Sequence, residues 1–144
     1  MKYKGCRSLS AELGRRMRCA GSELLAEGWV AVPVPLHRRR LRARGFNQAA
    51  DLARHLGLPV IEALRRTRAT PSQTDLPAAK RHANVRGAFA PRSRAHVDGC
   101  RIVLVDDVCT TGATLESCAR VLVEAGAREV SALTAARVAS RPHE

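Results

Sequence analysis

Aromatic side chains are nearly missing: one Trp, one Tyr and two Phe stand among 144 residues. The core must therefore be aliphatic, and few rings remain for stacking on nucleic-acid bases. Lysine is almost as scarce, with 3 Lys against 22 Arg in a chain of net charge +12. Such a balance suits polyanions: nucleic acid, pyrophosphate or nucleotides. An Arg- and Ala-rich composition also follows from genomic base bias, and the basic residues are spread along the chain. No CxxC pair occurs among the five cysteines, and their number is odd. That argues against a zinc ribbon and against a disulfide framework, and favours reduced thiols in the cytoplasm. Histidines 37, 55, 82, 96 and 143 show no ligand spacing, so no zinc or other transition metal is expected. No apolar run approaches ~18 residues, and no apolar core follows Met1-Lys2-Tyr3-Lys4, so neither a membrane partner nor a signal peptide is expected. There is no internal repeat, low-complexity tract or convincing linker, and the length suits one domain, 1–144, with a sizeable core.

What is present centres on Arg101 to Leu115, RIVLVDDVCTTGATL. Ile102-Val103-Leu104-Val105 reads as a strand buried on both faces, as in a parallel sheet. Asp106 and Asp107 follow, then Thr110, Thr111, Gly112, Ala113 and Thr114 lead into a helical pattern. In open α/β sheets, ligands sit beyond the carboxyl ends of the strands. Adjacent residues on an extended chain point to opposite sides, so one Asp reaches the ligand while the other braces the loop. Carboxylates accept hydrogen bonds from sugar hydroxyls and attract Mg²⁺. A turn at a helix N-terminus presents backbone N–H groups to an anion, and Gly112 permits positive φ and close approach. Together these describe a site for a ribose 5-phosphate. The bland alternative is a buried strand and a capped helix, but two carboxylates at a strand end have no packing role. Cys109 lies inside the motif, and no base is identifiable that would make it a catalytic thiol.

Leu9, Leu13 and Met17 fall at helical spacing, so an amphipathic helix is expected from near Ser8 or Ser10, interrupted at Gly21. Trp29 to Pro35 reads as a short apolar strand whose prolines exclude a central ladder position past Val32. Leu36 and His37 follow, then an Arg-dense turn with Arg38, Arg39, Arg40, Arg42 and Arg44. Such a turn suits pyrophosphate through bidentate contacts, though most of these arginines are expected to be simply solvated. Arg44-Gly45-Phe46-Asn47-Gln48 opens a helix carrying Ala50, Leu52, Ala53 and Leu56 and stopped by Gly57 and Pro59. Val60 to Leu64 is a candidate strand, and 65–88 is polar and irregular, a loop too long to lack a role unless it is a linker. Asp98-Gly99 is a turn. Leu115, Ala119, Leu122 and Val123 mark a helix face ended at Gly126, and Val130 to Val138 is the last strand candidate.

The 101–115 run closely resembles the signature of type I phosphoribosyltransferases. VPVPLH, a basic stretch, RGFNQ and VLVDDVCTTGATL, in that order, resemble the ComF subfamily over nearly the whole chain. The resemblance implies an α/β fold, a parallel sheet with helices on both faces and a flexible hood over about 65–88 carrying Arg65, Gln73, Lys80, Arg81 and Asn84. It implies that Asp106 and Asp107 hold the ribose of phosphoribosyl pyrophosphate (PRPP) as the catalytic pair. Thr110, Thr111, Gly112, Ala113 and Thr114 would surround the 5-phosphate. Val34, Pro35, Leu36, His37, Arg38 and Arg44 would serve pyrophosphate. Mg²⁺ would arrive with PRPP, in reach of Asp106 or Asp107. Longer ComF relatives carry an N-terminal cysteine-rich zinc ribbon, and its motif is missing here, so a truncated or short form with a bare sheet edge is expected.

Three functions are open on this reading. One is an active enzyme in which a nitrogen nucleophile displaces pyrophosphate from C1 of PRPP. Another is a PRPP- or nucleotide-binding regulator. The third is a DNA-uptake accessory of natural competence, with single-stranded DNA or a helicase as partner. A homodimer is one open assembly, and no acceptor-base pocket is legible.

Overall fold

The computed structural model describes residues 4–68, 87–109 and 111–138. Helix α1 spans Lys4–Ala20 and a 3₁₀ turn follows at Ser22–Leu25. Strand β1 is Trp29–Pro33, α2 is Arg38–Arg44 and α3 is Gln48–Arg54. Strands β2 (Leu64–Arg66) and β3 (Phe89–Pro91) are short; β4 is Arg101–Cys109, α4 is Ala113–Glu124 and β5 is Glu129–Arg137.

The main sheet is parallel, in the order β1-β4-β5, with β4 central. Its apolar run is buried on both faces, with Ile102, Val103, Leu104 and Val105 all fully covered. Alternation sends Ile102 and Leu104 to one layer and Val103 and Val105 to the other. The first layer holds Cys118 and Leu122 of α4 with Leu64 and Phe89 of the β2–β3 ladder. The second holds Met17 of α1, Trp29, and Leu52, Ala53 and Leu56 of and just after α3. Helices therefore cover both faces of a parallel sheet. Aliphatic side chains supply nearly all of this core, with Trp29 and Phe89 as its buried rings.

Several elements depart from the sequence pattern. The β1 ladder continues past Val32: Pro33 stands beside Val105 and the Val34 N–H donates to the Val105 carbonyl at 2.9 Å. Odd positions of β1 aim their N–H away from β4, as Ala31 does toward the Pro59 carbonyl at 2.8 Å. The missing donor of Pro33 thus faces the outer edge, where a proline is tolerated. The Val60 to Leu64 candidate divides into one bridge, Val60 with Ala31, and the start of β2. The Arg-dense run is a helix rather than a turn. His37 caps it by accepting from the Arg39 N–H at 3.3 Å, Gly45 ends it at φ 77°, and none of its residues is buried. From Leu9 onward, the buried positions of α1 are Ser10, Gly14 and Met17, continued by Gly21, with Leu13 half-buried against the core, whereas Leu9 is 53% exposed. Val123 likewise points outward, and α4 buries Ala113, Cys118 and Leu122.

The ends of α4 are set as the glycines suggested. Gly126 takes φ 99°, and the N–H groups of Gly126 and Ala127 donate to Val123 and Leu122 at 3.0 Å each, a Schellman closure. The Asp98-Gly99 turn packs on it, the Gly99 N–H donating to the Gly126 carbonyl at 2.9 Å. Strand β5 has no outer strand partner among the described residues. No helix among the described residues is long and apolar enough to cross a membrane.

Candidate functional site

The parallel arrangement brings the carboxyl ends of β1 and β4 to one edge, and a cleft of about 280 Å³ opens there. Val34, Pro35 and Leu36 border it just after β1, and Asp106, Asp107 and Val108 from β4. Thr114 of α4, Arg40 and Arg44 of α2, Arg66 of β2 and the Asn47 to Ala49 start of α3 complete it. Asn47 locks two of these parts together. Its Oδ1 accepts from the Ala49 N–H at 3.1 Å, capping α3, while its Nδ2 donates to the Val34 carbonyl at 3.0 Å. The backbone that turns out of β1 is thereby tied to the helix beside it.

Both carboxylates lie within the paired strand, which runs on to Cys109, not in a loop beyond it. The Asp106 Oδ1 accepts from the Asp107 N–H at 2.8 Å, and the Asp107 Oδ1 accepts from the Val108 N–H at 2.8 Å. Alternation gives Asp106 the layer of α4 and β2 and Asp107 that of α3, yet both border the same cleft. Burial is the chief reason that the Asp106 carboxyl is pushed up, to about 7. Hydrogen bonding and repulsion from Asp107 add to the rise, while the Asp107 N–H and the Arg66 charge oppose it. The Arg66 guanidinium stacks 5.3 Å from the centroid of the buried Phe89 ring. Its own pKa is lowered, first by burial and then by the charge of Arg40. Cys118, buried beneath the site, is held firmly as a neutral thiol, first by burial and then by Asp106.

At the start of α4, Gly112 takes φ 81° with nothing within 4 Å of where a Cβ would stand. Glycine is required there by the backbone angle rather than by a close neighbour. The Thr111 Oγ1 accepts from the Ala113 N–H at 3.3 Å, and the Ala113 side chain enters the core. Of the anticipated 5-phosphate residues, Thr114 borders the cleft; Thr111, Gly112 and Ala113 form the turn beside it, and Thr110 lies outside the described residues. Of the anticipated pyrophosphate residues, Val34, Pro35, Leu36 and Arg44 border the cleft. His37 and Arg38 instead border a second cleft, which shares Pro35, Leu36 and Arg66 with the first. Of the hood residues, Arg65 sits in β2; Gln73, Lys80, Arg81 and Asn84 lie outside the described residues. The β2–β3 ladder is extended by the Thr67 N–H donating to the Ala88 carbonyl at 2.7 Å, which pairs the two described ends of the stretch anticipated as a hood.

Sequence reasoning gave no site role to Asn47 or Gln48, and named Arg66 and Arg40 only collectively, among the basic residues of the hood stretch and of the Arg-dense turn. Asn47 carried a signal, a capping residue opening a helix inside RGFNQ. Arg66 carried no signal of its own, because an arginine in a polar run gives no sign that it will be half-buried on a phenylalanine.

A family model described as phosphoribosyl transferase domain matches residues 41–144. The DNA utilization protein YhgH of Escherichia coli K12 is 42% identical over 104 residues, which are 69% of this chain and 45% of that protein. Competence protein F of Haemophilus influenzae is 36% identical over 112 residues, 74% of this chain and 49% of that protein. Competence protein ComFC of Bacillus subtilis is 36% identical over 110 residues, 76% and 45%. The chain thus spans about half the length of the curated relatives it matches. Among solved structures, the glutamine PRPP amidotransferase of Bacillus subtilis, complexed with ADP and GMP, superposes with a TM-score of 0.60 at 26% identity. That match covers 95% of this chain and 28% of the amidotransferase.

Proposed function

The chain belongs to the phosphoribosyl transferase domain family, in its ComF-like group, and from that premise we propose that it binds PRPP at the carboxyl edge of β1 and β4. The observation that carries the reading is one cleft bordered by two strand-end carboxylates, three arginines and the first turn of α4. Asp106 and Asp107 would accept hydrogen bonds from the ribose hydroxyls. The turn 111–114 would offer N–H groups to the 5-phosphate, and Arg40, Arg44 and Arg66 would face the pyrophosphate. Two adjacent carboxylates fit Mg²⁺, which keeps several waters and takes one or two carboxylates plus the phosphates of its ligand. Bound with PRPP, it would neutralise pyrophosphate charge, and it would relieve the crowding that raises Asp106.

In the transfer reaction the bond from C1 to the pyrophosphate oxygen breaks and a bond from a nitrogen of the acceptor forms. The nitrogen loses its proton and pyrophosphate leaves with both bonding electrons. Positive charge gathers on C1, so the protein needs no nucleophile of its own. It orients the ribose and stabilises the departing anion. A protein using phosphorylated substrates of this kind would work in the cytoplasm.

Ribose 5-phosphate, pyrophosphate and PRPP, added separately with Mg²⁺, test the assignment through the thermal midpoint. PRPP should raise the midpoint most, since it engages both halves of the cleft. A midpoint unmoved by all three contradicts the reading. A second reading, DNA handling, is favoured by the names of the relatives and by the net charge of +12.

A further inference from the structure

Among the described residues the sheet ends at β5, and that edge is open. None of the nine residues of β5 is buried, whereas Ile102 to Val105 of β4 are fully covered. Parallel strands of an α/β sheet are ordinarily covered on both faces, so a strand this open is unusual. It reads EVSALTAAR. Proline, lysine and bulges commonly blunt such an edge, and β5 has none of them. Its register with β4 keeps one offset from Arg101↔Glu129 to Cys109↔Arg137. The N–H groups of Arg128 and Val138 donate to the carbonyls of Cys100 and Cys109 at 2.8 and 2.9 Å, so even-numbered positions face β4. Ser131, Leu133, Ala135 and Arg137 therefore turn their N–H and C=O groups outward. Glu129 begins the same row, with its N–H leaning back to the Cys100 carbonyl at 3.4 Å.

We propose that β5 pairs antiparallel with β5 of a second copy of this chain, about a two-fold axis at Leu133. A two-fold interface must be self-complementary, each residue meeting its counterpart reciprocally. Centred on Leu133, this strand meets that demand. Glu129 stands opposite the copy's Arg137, Ser131 opposite the copy's Ala135, and Leu133 opposite itself. Every position so paired is odd, so the outward groups of one strand meet those of the other. The charged pairs stand at the two ends, on the face where Leu133 and Ala135 pack toward α1 and α3. Arg137 makes no ion pair with any described residue, and the one contact of Glu129 is Arg101 at 3.7 Å. Both charges are thus available across the axis. Pairing would form roughly eight hydrogen bonds, within the range of a specific interface. No residue of β5 borders either cleft, and antiparallel pairing sets the copies' clefts at opposite ends of the joined sheet, so both stay open.

Sedimentation velocity from about 1 to 100 µM protein tests this. Wild type should dimerise within that range. Glu129→Arg and Arg137→Glu each set like charges opposite one another at both ends, and each alone should weaken the dimer at least about tenfold. Mixed in equal amounts, the two variants restore both opposite-charge pairs, and the mixture should dimerise like wild type. Ser131→Pro removes an outward N–H and leaves the bonds to β4, so it should be a folded monomer. Unfolding midpoints confirm folding, and Ser131→Pro carries the test if a charge-reversed variant does not fold. Wild type that stays monomeric at about 100 µM overturns the proposal, as it would if another segment covers the edge. A dimer left intact by Ser131→Pro or by both reversals overturns the edge. Single variants that stay monomeric when mixed overturn the register.

Discussion

Asp106 shows at the scale of one residue what the site demands of the fold. Its carboxyl is raised to about 7, by burial first and by Asp107 second, from an ordinary value of 3.8. Between about pH 4 and pH 7 the folded protein holds a proton that the unfolded chain has released. The native state thus binds more protons in that window, so this group's contribution to stability falls as pH rises through it and is constant above. Asp106→Asn removes the titration while keeping the shape. The variant should be more stable than wild type by about 2–4 kcal/mol near pH 8, with the difference vanishing toward about pH 4. Urea unfolding across pH measures it, and a variant no more stable near pH 8 contradicts the account. A carboxyl that weakens the empty protein while bordering a cleft fits the ligand-binding role proposed for it. The pair was legible in the sequence because carboxylates directly after a buried apolar run have no packing use. The placement of Arg66 was not, because it depends on Phe89, 23 positions away, meeting its guanidinium.

At the scale of elements, hydrophobic period reported some faces and missed others. The period of α1 suggested Leu9, Leu13 and Met17; Met17 is buried and Leu13 packs half-buried against the core, but Leu9 is exposed and Ser10, Gly14 and Gly21 share the packed face. Small residues define it because α1 presses on the end of α3: a Cβ on Gly14 would lie 2.4 Å from the His55 Cβ. Close backbone approach leaves no mark in a hydrophobicity pattern. Gly14→Ala separates the two effects. Helix propensity alone would favour alanine by about 1 kcal/mol. The contact with His55 involves an atom next to the backbone, which cannot swing aside, and overpacking costs about 1–3 kcal/mol. Net destabilisation is expected in urea, and a net gain would show that α1 does not pack as described. Helix α2 was missed for a complementary reason. It buries nothing, so no apolar period exists to read, although arginine is a good helix former. Its helical spacing brings Arg40 and Arg44, one turn apart, to the same cleft.

At the scale of the molecule, the parallel sheet with helices on both faces was readable, since a strand apolar at every position must be covered twice. The assembly of the cleft was not, because it draws on β1, α2, α3, β2, β4 and α4, whose convergence is a product of topology. The same topology divides the arginines between a cleft with carboxylates and one with none among its described lining residues, a distinction that net charge hides. The account rests on the first of these clefts being a ribose-phosphate site. Calorimetric titration with PRPP, with and without Mg²⁺, of wild type and Asp106→Asn/Asp107→Asn tests that most directly. Saturable, Mg²⁺-dependent binding by wild type and its loss in the folded double variant is the predicted result. Absence of binding by folded wild type, or equal binding by the double variant, would contradict it.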